Sequence, residues 1–193
     1  AAAASVLRIE KRSTKLFLSL VAQYHGWINP LDYATEVYKL AVYFNSALVA
    51  VELTGGYGEA VMLRMRQEYA YWNIFRDETS HAAAKYKQAH RLGIETSSTS
   101  KPFMVASLQQ FVREKNIDIP CAATIGEMVA FEQERSENGF YVRYRGASGA
   151  HDDRVMSVVI ATSVAVSSPI AFDHQVEAAT HAPLKEIYKG QWL

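Results

Sequence analysis

Three carboxylates stand where chemistry is most readily built. Glu52 ends the apolar run Leu48-Val49-Ala50-Val51 and is followed by Leu53-Thr54-Gly55-Gly56. That order places a carboxylate at the carboxyl end of a central strand, the edge where open α/β sheets gather ligands. A desolvated acid there is costly unless a cation or hydrogen bonds compensate it, and the plain alternative is a strand-end glutamate that reaches water. Asp152 and Asp153 follow a glycine-flanked turn, Gly146 to Gly149, and directly precede the apolar helix predicted over Val155 to Val166. A helix start favours both negative charges, but the two charges also repel each other. A divalent ion with hard-oxygen preference would relieve that repulsion, which points to Mg²⁺ or Mn²⁺ rather than zinc. The plain alternative is ordinary N-terminal capping by either aspartate. Taken with Glu52, the pair could hold two metal ions, the arrangement used for in-line displacement at phosphate.

Positive charge near such a cleft would bind a phosphate backbone without sequence preference and in a salt-sensitive way. The candidates are Lys85, Lys87, His90 and Arg91 in a long polar stretch, Lys101, Arg143 and Arg145, and Arg154 beside the acids. Arg143 and Arg145 alternate along a predicted strand, so both point to one side. For each residue taken singly, a solvated surface role competes. His151 could orient an aspartate or a phosphate, or make a structural hydrogen bond. Asp77, Glu78 and His81 form a second polar cluster, and His174 and His181 are too sparse for a zinc site.

The elements that must position these residues read as follows. Alternation over Val6 to Lys11, a basic turn and the β-rich run Leu16 to Tyr24 predict an antiparallel hairpin. Asn29-Pro30-Leu31-Asp32 is a helix start, with Leu31, Ala34, Val37, Ala41 and Phe44 on one face. Ala47 to Val51 is the expected central strand; Glu59 to Tyr69 is a helix with Val61, Met62 and Met65 inward. Tyr71 to Phe75 is another strand, and Asp77 to Lys101 is a long loop. A helix opens at Pro102, Ile117 to Pro120 is an edge strand, Thr124 to Gln133 a helix and Phe140 to Arg145 the last strand. The fold class is therefore α/β, a mixed sheet covered by helices on both faces. The domain is expected over residues 1–168, and 169–193 as a tail without a core of its own.

Composition narrows the function. The chain has 193 residues, 49% hydrophobic and 21% charged, enough for one sizeable core. Its 20 Lys+Arg balance 20 Asp+Glu, so any grip on nucleic acid must come from local patches rather than a global positive field. One cysteine, Cys121, excludes an internal disulfide framework and a four-cysteine zinc site, and fits a reducing compartment. The longest apolar run has twelve residues, Val155 to Val166, too short to span a bilayer, so no membrane partner is expected.

Three of these segments carry a resemblance. Val49-Ala50-Val51-Glu52 with glycines after it, the Thr96 to Pro102 stretch ending in Lys101-Pro102, and Gly149-Ala150-His151-Asp152-Asp153-Arg154-Val155-Met156 resemble, in this order, the nuclease domain of tailed-phage large terminases. The most specific of them is His151 to Met156. The resemblance implies an RNase H-like fold and an Mg²⁺- or Mn²⁺-dependent endonuclease that cuts concatemeric viral double-stranded DNA during packaging. It implies Glu52, Asp152 and Asp153 as catalytic metal ligands, and an upstream ATPase motor, the portal and the small terminase as partners in the host cytoplasm. This sequence holds no phosphate-binding glycine-lysine motif, so the motor is not within these residues. The family carries its first catalytic aspartate on a strand ahead of the hairpin, whereas here no acid precedes Glu10, which sits beside a basic turn. Competing readings are another RNase H-like nuclease of the junction-resolvase kind and a non-catalytic packaging-motor module.

Overall fold

The computed structural model describes residues 1–77, 91–135 and 142–168. The chain opens with the predicted hairpin, β1 (Ala2–Arg12) and β2 (Lys15–Gly26), paired antiparallel from Ala2 opposite Gly26 to Arg12 opposite Lys15. Its register slips at a bulge between Val6 and Leu7, and Ser13 takes a left-handed conformation in the turn. Strand β5 (Ile117–Asp118) joins β2 in parallel, giving a mixed sheet of order β1-β2-β5.

Helix α1 (Pro30–Tyr43) starts as the sequence dictates: Pro30 occupies the first turn and the Asn29 side chain accepts the Asp32 amide at 2.9 Å. Its inward residues are Ala34 and Ala41, while Leu31 is exposed. Residues 47–53 run extended, bridged in parallel to Ile74 and Ile94. Val49, Val51 and Leu53 point to one face and pack on α1 and on α2 (Tyr57–Gln67) through Val61, Met62 and Met65. Ala50 points to the opposite face, where α3 (Ser100–Arg113) and α5 (Asp153–Ser167) cover Leu20, Phe75 and Ile94. Helices therefore lie on both faces of the strands, as predicted. Val155, Val158 and Val159 of α5 are all but inaccessible; each such burial contributes roughly 1.5–3 kcal/mol.

Two readings are corrected. The segment read as loop contains β4 (Arg91–Leu92), paired with β3 (Arg76–Asp77), and runs on to the bridged Ile94. Leu92 and Ile94 alternate, but four residues inside a polar run are too short a signal. The helix predicted over Thr124 to Gln133 is instead α4 (Ala122–Val129) followed by β6 (Phe131–Arg135). Strand β6 pairs with β7 (Val142–Gly146), and Phe131 stacks on Tyr144 with ring centroids 6.2 Å apart, a cross-strand contact that outweighs helix periodicity. The expected tail, Lys85, Lys87, His90, Glu78, His81, His174 and His181 lie outside the described residues. Among the described residues no helix is long and apolar enough to cross a membrane.

Among the described residues strand β1 is an edge of its sheet, and residues 47–53 pair only on the side of Ile74 and Ile94. Between them lies a cavity of about 750 Å³, closed on one side by α1 and on the other by α5.

Candidate active site

The acids singled out in the sequence open onto that cavity. Glu52 enters it from the extended segment, Asp152 and Asp153 enter from the start of α5, and Lys101 from the first turn of α3. Glu52 is partly buried and its Oε1 accepts a hydrogen bond from the Thr96 hydroxyl. Its backbone is fixed as tightly as its side chain. A Cβ on Gly58 would stand 1.6 Å from the Glu52 carbonyl oxygen, so the N-terminus of α2 can rest on this strand end only because position 58 is glycine. The Gly55-Gly56 pair supplies the left-handed turn between strand and helix.

The capping alternative for the aspartates does not hold. Asp152 is the residue before α5, yet its side chain makes no capping hydrogen bond. The cap comes from Glu127 of α4, whose Oε2 accepts the amides of Arg154 at 2.8 Å and Val155 at 3.3 Å. Both aspartates are left to face the cavity. Asp153 Oδ2 lies 3.3 Å from the amino group of Ala1 and 3.7 Å from His25 Nε2. His25 Nε2 is itself buried and has no hydrogen-bond partner. His25 stands outside every pattern visible in the sequence, because its place beside Asp153 depends on the register of β2 against β1.

The remaining predicted contacts divide. Lys101 lines the cavity with its ammonium 5.9 Å from the centre of the Phe131 ring. Arg145 is paired with Glu134 at 3.2 Å, and Arg143 lies opposite the same glutamate in the β6–β7 register. The Arg154 guanidinium, beside the acids as expected, holds Glu127 Oε1 at 2.7 Å. His151 is exposed and meets the edge of Trp27 at 6.3 Å; Trp27 is 82% exposed. Glu10 pairs with Arg8 and Arg12, away from the acids. Asp77 lies on β3, outside the residues that line the cavity.

Glu52, Asp152 and Asp153 are oxygen donors on one cavity, the donor type a hard divalent cation takes. They do not form a closed site, because among the described residues no three His, Cys, Asp or Glu side chains gather closely enough to hold an ion.

No protein-family model matches the sequence, and no curated protein does. Solved structures do match. The large terminase nuclease from thermophilic phage G20c aligns over 83% of this chain and 82% of its own, with a TM-score of 0.52 at 14% identity. Its forms with bound cobalt and with bound magnesium each align over 83% of this chain and 81% of their own, with a TM-score of 0.57 at 15% identity. The chain thus has the RNase H-like mixed α/β fold of a phage large terminase nuclease domain.

Proposed function

We propose that this chain is a divalent-metal-dependent endonuclease domain that cuts concatemeric double-stranded DNA during viral genome packaging in the host cytoplasm. The observation that carries the reading is that Asp152 and Asp153 do not cap their helix and line one cavity together with Glu52. The fold is shared with a phage nuclease whose structures hold cobalt and magnesium. In this reading Glu52, Asp152 and Asp153 hold Mg²⁺ or Mn²⁺, which when bound supplies an activated water and charge stabilisation at phosphate. Lys101 holds a phosphate of the strand at the cavity mouth. Arg143 and Arg145, with Lys85 and Lys87, extend the backbone contact along the duplex. An ATPase motor, the portal and the small terminase are the partners of such a domain, and tethering to a motor would offset the weak field of a chain with zero formal charge.

The test is nicking and linearisation of supercoiled plasmid by this chain in millimolar Mn²⁺ or Mg²⁺, with EDTA as control. Asp152→Asn and Glu52→Gln should each abolish cleavage while thermal unfolding stays cooperative; undiminished cleavage by Asp152→Asn would overturn the proposal. A non-catalytic packaging module is the second reading. It is favoured by the lack of a gathered three-ligand group among the described residues, and metal-independent DNA binding without cleavage would establish it.

A further inference from the structure

Helix α5 begins without help from its own sequence. Asp152 makes no capping bond, and the first amides of a helix need acceptors from elsewhere. Glu127 supplies them from α4, 27 residues earlier in the chain. One of its oxygens takes two backbone amides of α5 and the other takes the Arg154 guanidinium, in a pocket that leaves the glutamate 9% exposed. A carboxylate so enclosed is tolerated only when both oxygens are hydrogen-bonded, as here.

A second polar chain fixes the same helix end. Thr124, fully buried on the same face of α4, donates to Gln23 Oε1 of β2 at 2.6 Å. Gln23 Nε2 donates to Ser5 Oγ of β1 at 2.9 Å. Ser5 Oγ shares a 2.6 Å hydrogen bond with Ser157 Oγ of α5, and the Ser157 hydroxyl donates at 2.8 Å to the carbonyl of Arg154. Both chains start on α4 and end at Arg154, one on its amide and guanidinium, the other on its carbonyl.

We infer that Glu127 is a positioning residue: as a remote cap on α5 it replaces Asp152 and Asp153 in that role, releasing both carboxylates from helix capping and holding them in fixed orientation to the cavity for metal binding. The inference rests on the proposed metal-binding function for its purpose, but the remote cap can be tested without metal.

The experiment compares wild type, Glu127→Gln and Glu127→Ala with Met65→Ala, a core variant on the α1–α2 side that lowers stability without touching α5. Glu127→Gln carries the test if the alanine variant does not fold. Amide hydrogen exchange should show Arg154 and Val155 protected in wild type and at least tenfold faster in Glu127→Gln, with no such local change in Met65→Ala. Mn²⁺ affinity, followed by the paramagnetic signal of the free ion, should fall at least tenfold in Glu127→Gln and stay within threefold in Met65→Ala. Unprotected amides in wild type, or rates unmoved by Glu127→Gln, would overturn the cap. Faster exchange with unchanged Mn²⁺ affinity would overturn positioning while leaving the cap in place. A wild-type chain with protected amides and no affinity for Mn²⁺ would overturn the metal-binding function, and with it the purpose assigned to Glu127.

Discussion

Replacing Gly58 by alanine adds one methyl group where two backbone segments nearly touch. The new Cβ would meet the Glu52 carbonyl oxygen at 1.6 Å, its carbonyl carbon at 2.7 Å and the Leu53 Cα at 3.2 Å. All three are backbone atoms, so no side chain can swing aside. To reach the ~3.3 Å of a close C···O contact, α2 and the strand end must part by roughly 1.5–2 Å. That motion loosens the packing of Val61 and Met65 on Val49, Val51 and Leu53. Overpacking of this kind costs about 1–3 kcal/mol, against a helix-propensity gain of about 1 kcal/mol from glycine to alanine. Because no flexible atom can absorb the clash, the expected net loss is about 2 kcal/mol, a fall in urea midpoint on the order of 1 M. Gly126→Ala is the control: a Cβ there meets nothing within 4 Å in the middle of α4, so it should gain about 0.5–1 kcal/mol. Equilibrium urea unfolding measures both. A Gly58→Ala protein within about 0.5 kcal/mol of wild type would refute the reasoning, since the strand end would then be free to give.

Met65 is wholly inaccessible between α2 and the strands, so Met65→Ala should cost about 2–5 kcal/mol in the same urea assay. Asn29→Ala removes the side-chain acceptor for the Asp32 amide and should cost about 1 kcal/mol, visible as a lower thermal midpoint. The Tyr33 hydroxyl, which donates to the Ala3 carbonyl, is held well above the usual tyrosine value, first by burial and then by Tyr57, Tyr24 and Glu52 nearby. The unfolded chain releases this proton near pH 10 while the folded chain keeps it, so the contribution is complete below pH 10. It then falls by about 1.4 kcal/mol per pH unit above it. Urea midpoints between pH 9 and 11.5 should therefore drop less steeply for Tyr33→Phe than for wild type; parallel slopes would contradict the assignment.

Legibility in the sequence followed the range of the interactions. The hairpin, the Asn29 start of α1 and the inward faces of α1 and α2 are set by neighbours in sequence and match its pattern, apart from Leu31 and Phe44 at the two ends of α1. Strand β6 was misread because Phe131 is committed by Tyr144, a partner on another strand. The positions of Glu52, Asp152 and Asp153 on one cavity follow from strand end and helix start, both visible as pattern breaks. The partners that decide their roles were not visible: Thr96 for Glu52, His25 for Asp153 and Glu127 for α5 each come from a distant segment. Arg154, read as a DNA contact from its proximity to the acids, is held by Glu127 for the same reason.

The unpaired margin between β1 and residues 47–53 has a mechanical consequence. Glu52 belongs to the strands on one bank, whereas Asp153 lies beside His25 of β2 on the other. Among the described residues no backbone ladder ties the banks together there; side chains of α5 do, through Leu20 on one bank and Phe75 and Ile94 on the other. The separation of the acids across the cavity is thus set by side-chain packing and hydrogen bonds to α5, and not by amide pairing between the banks.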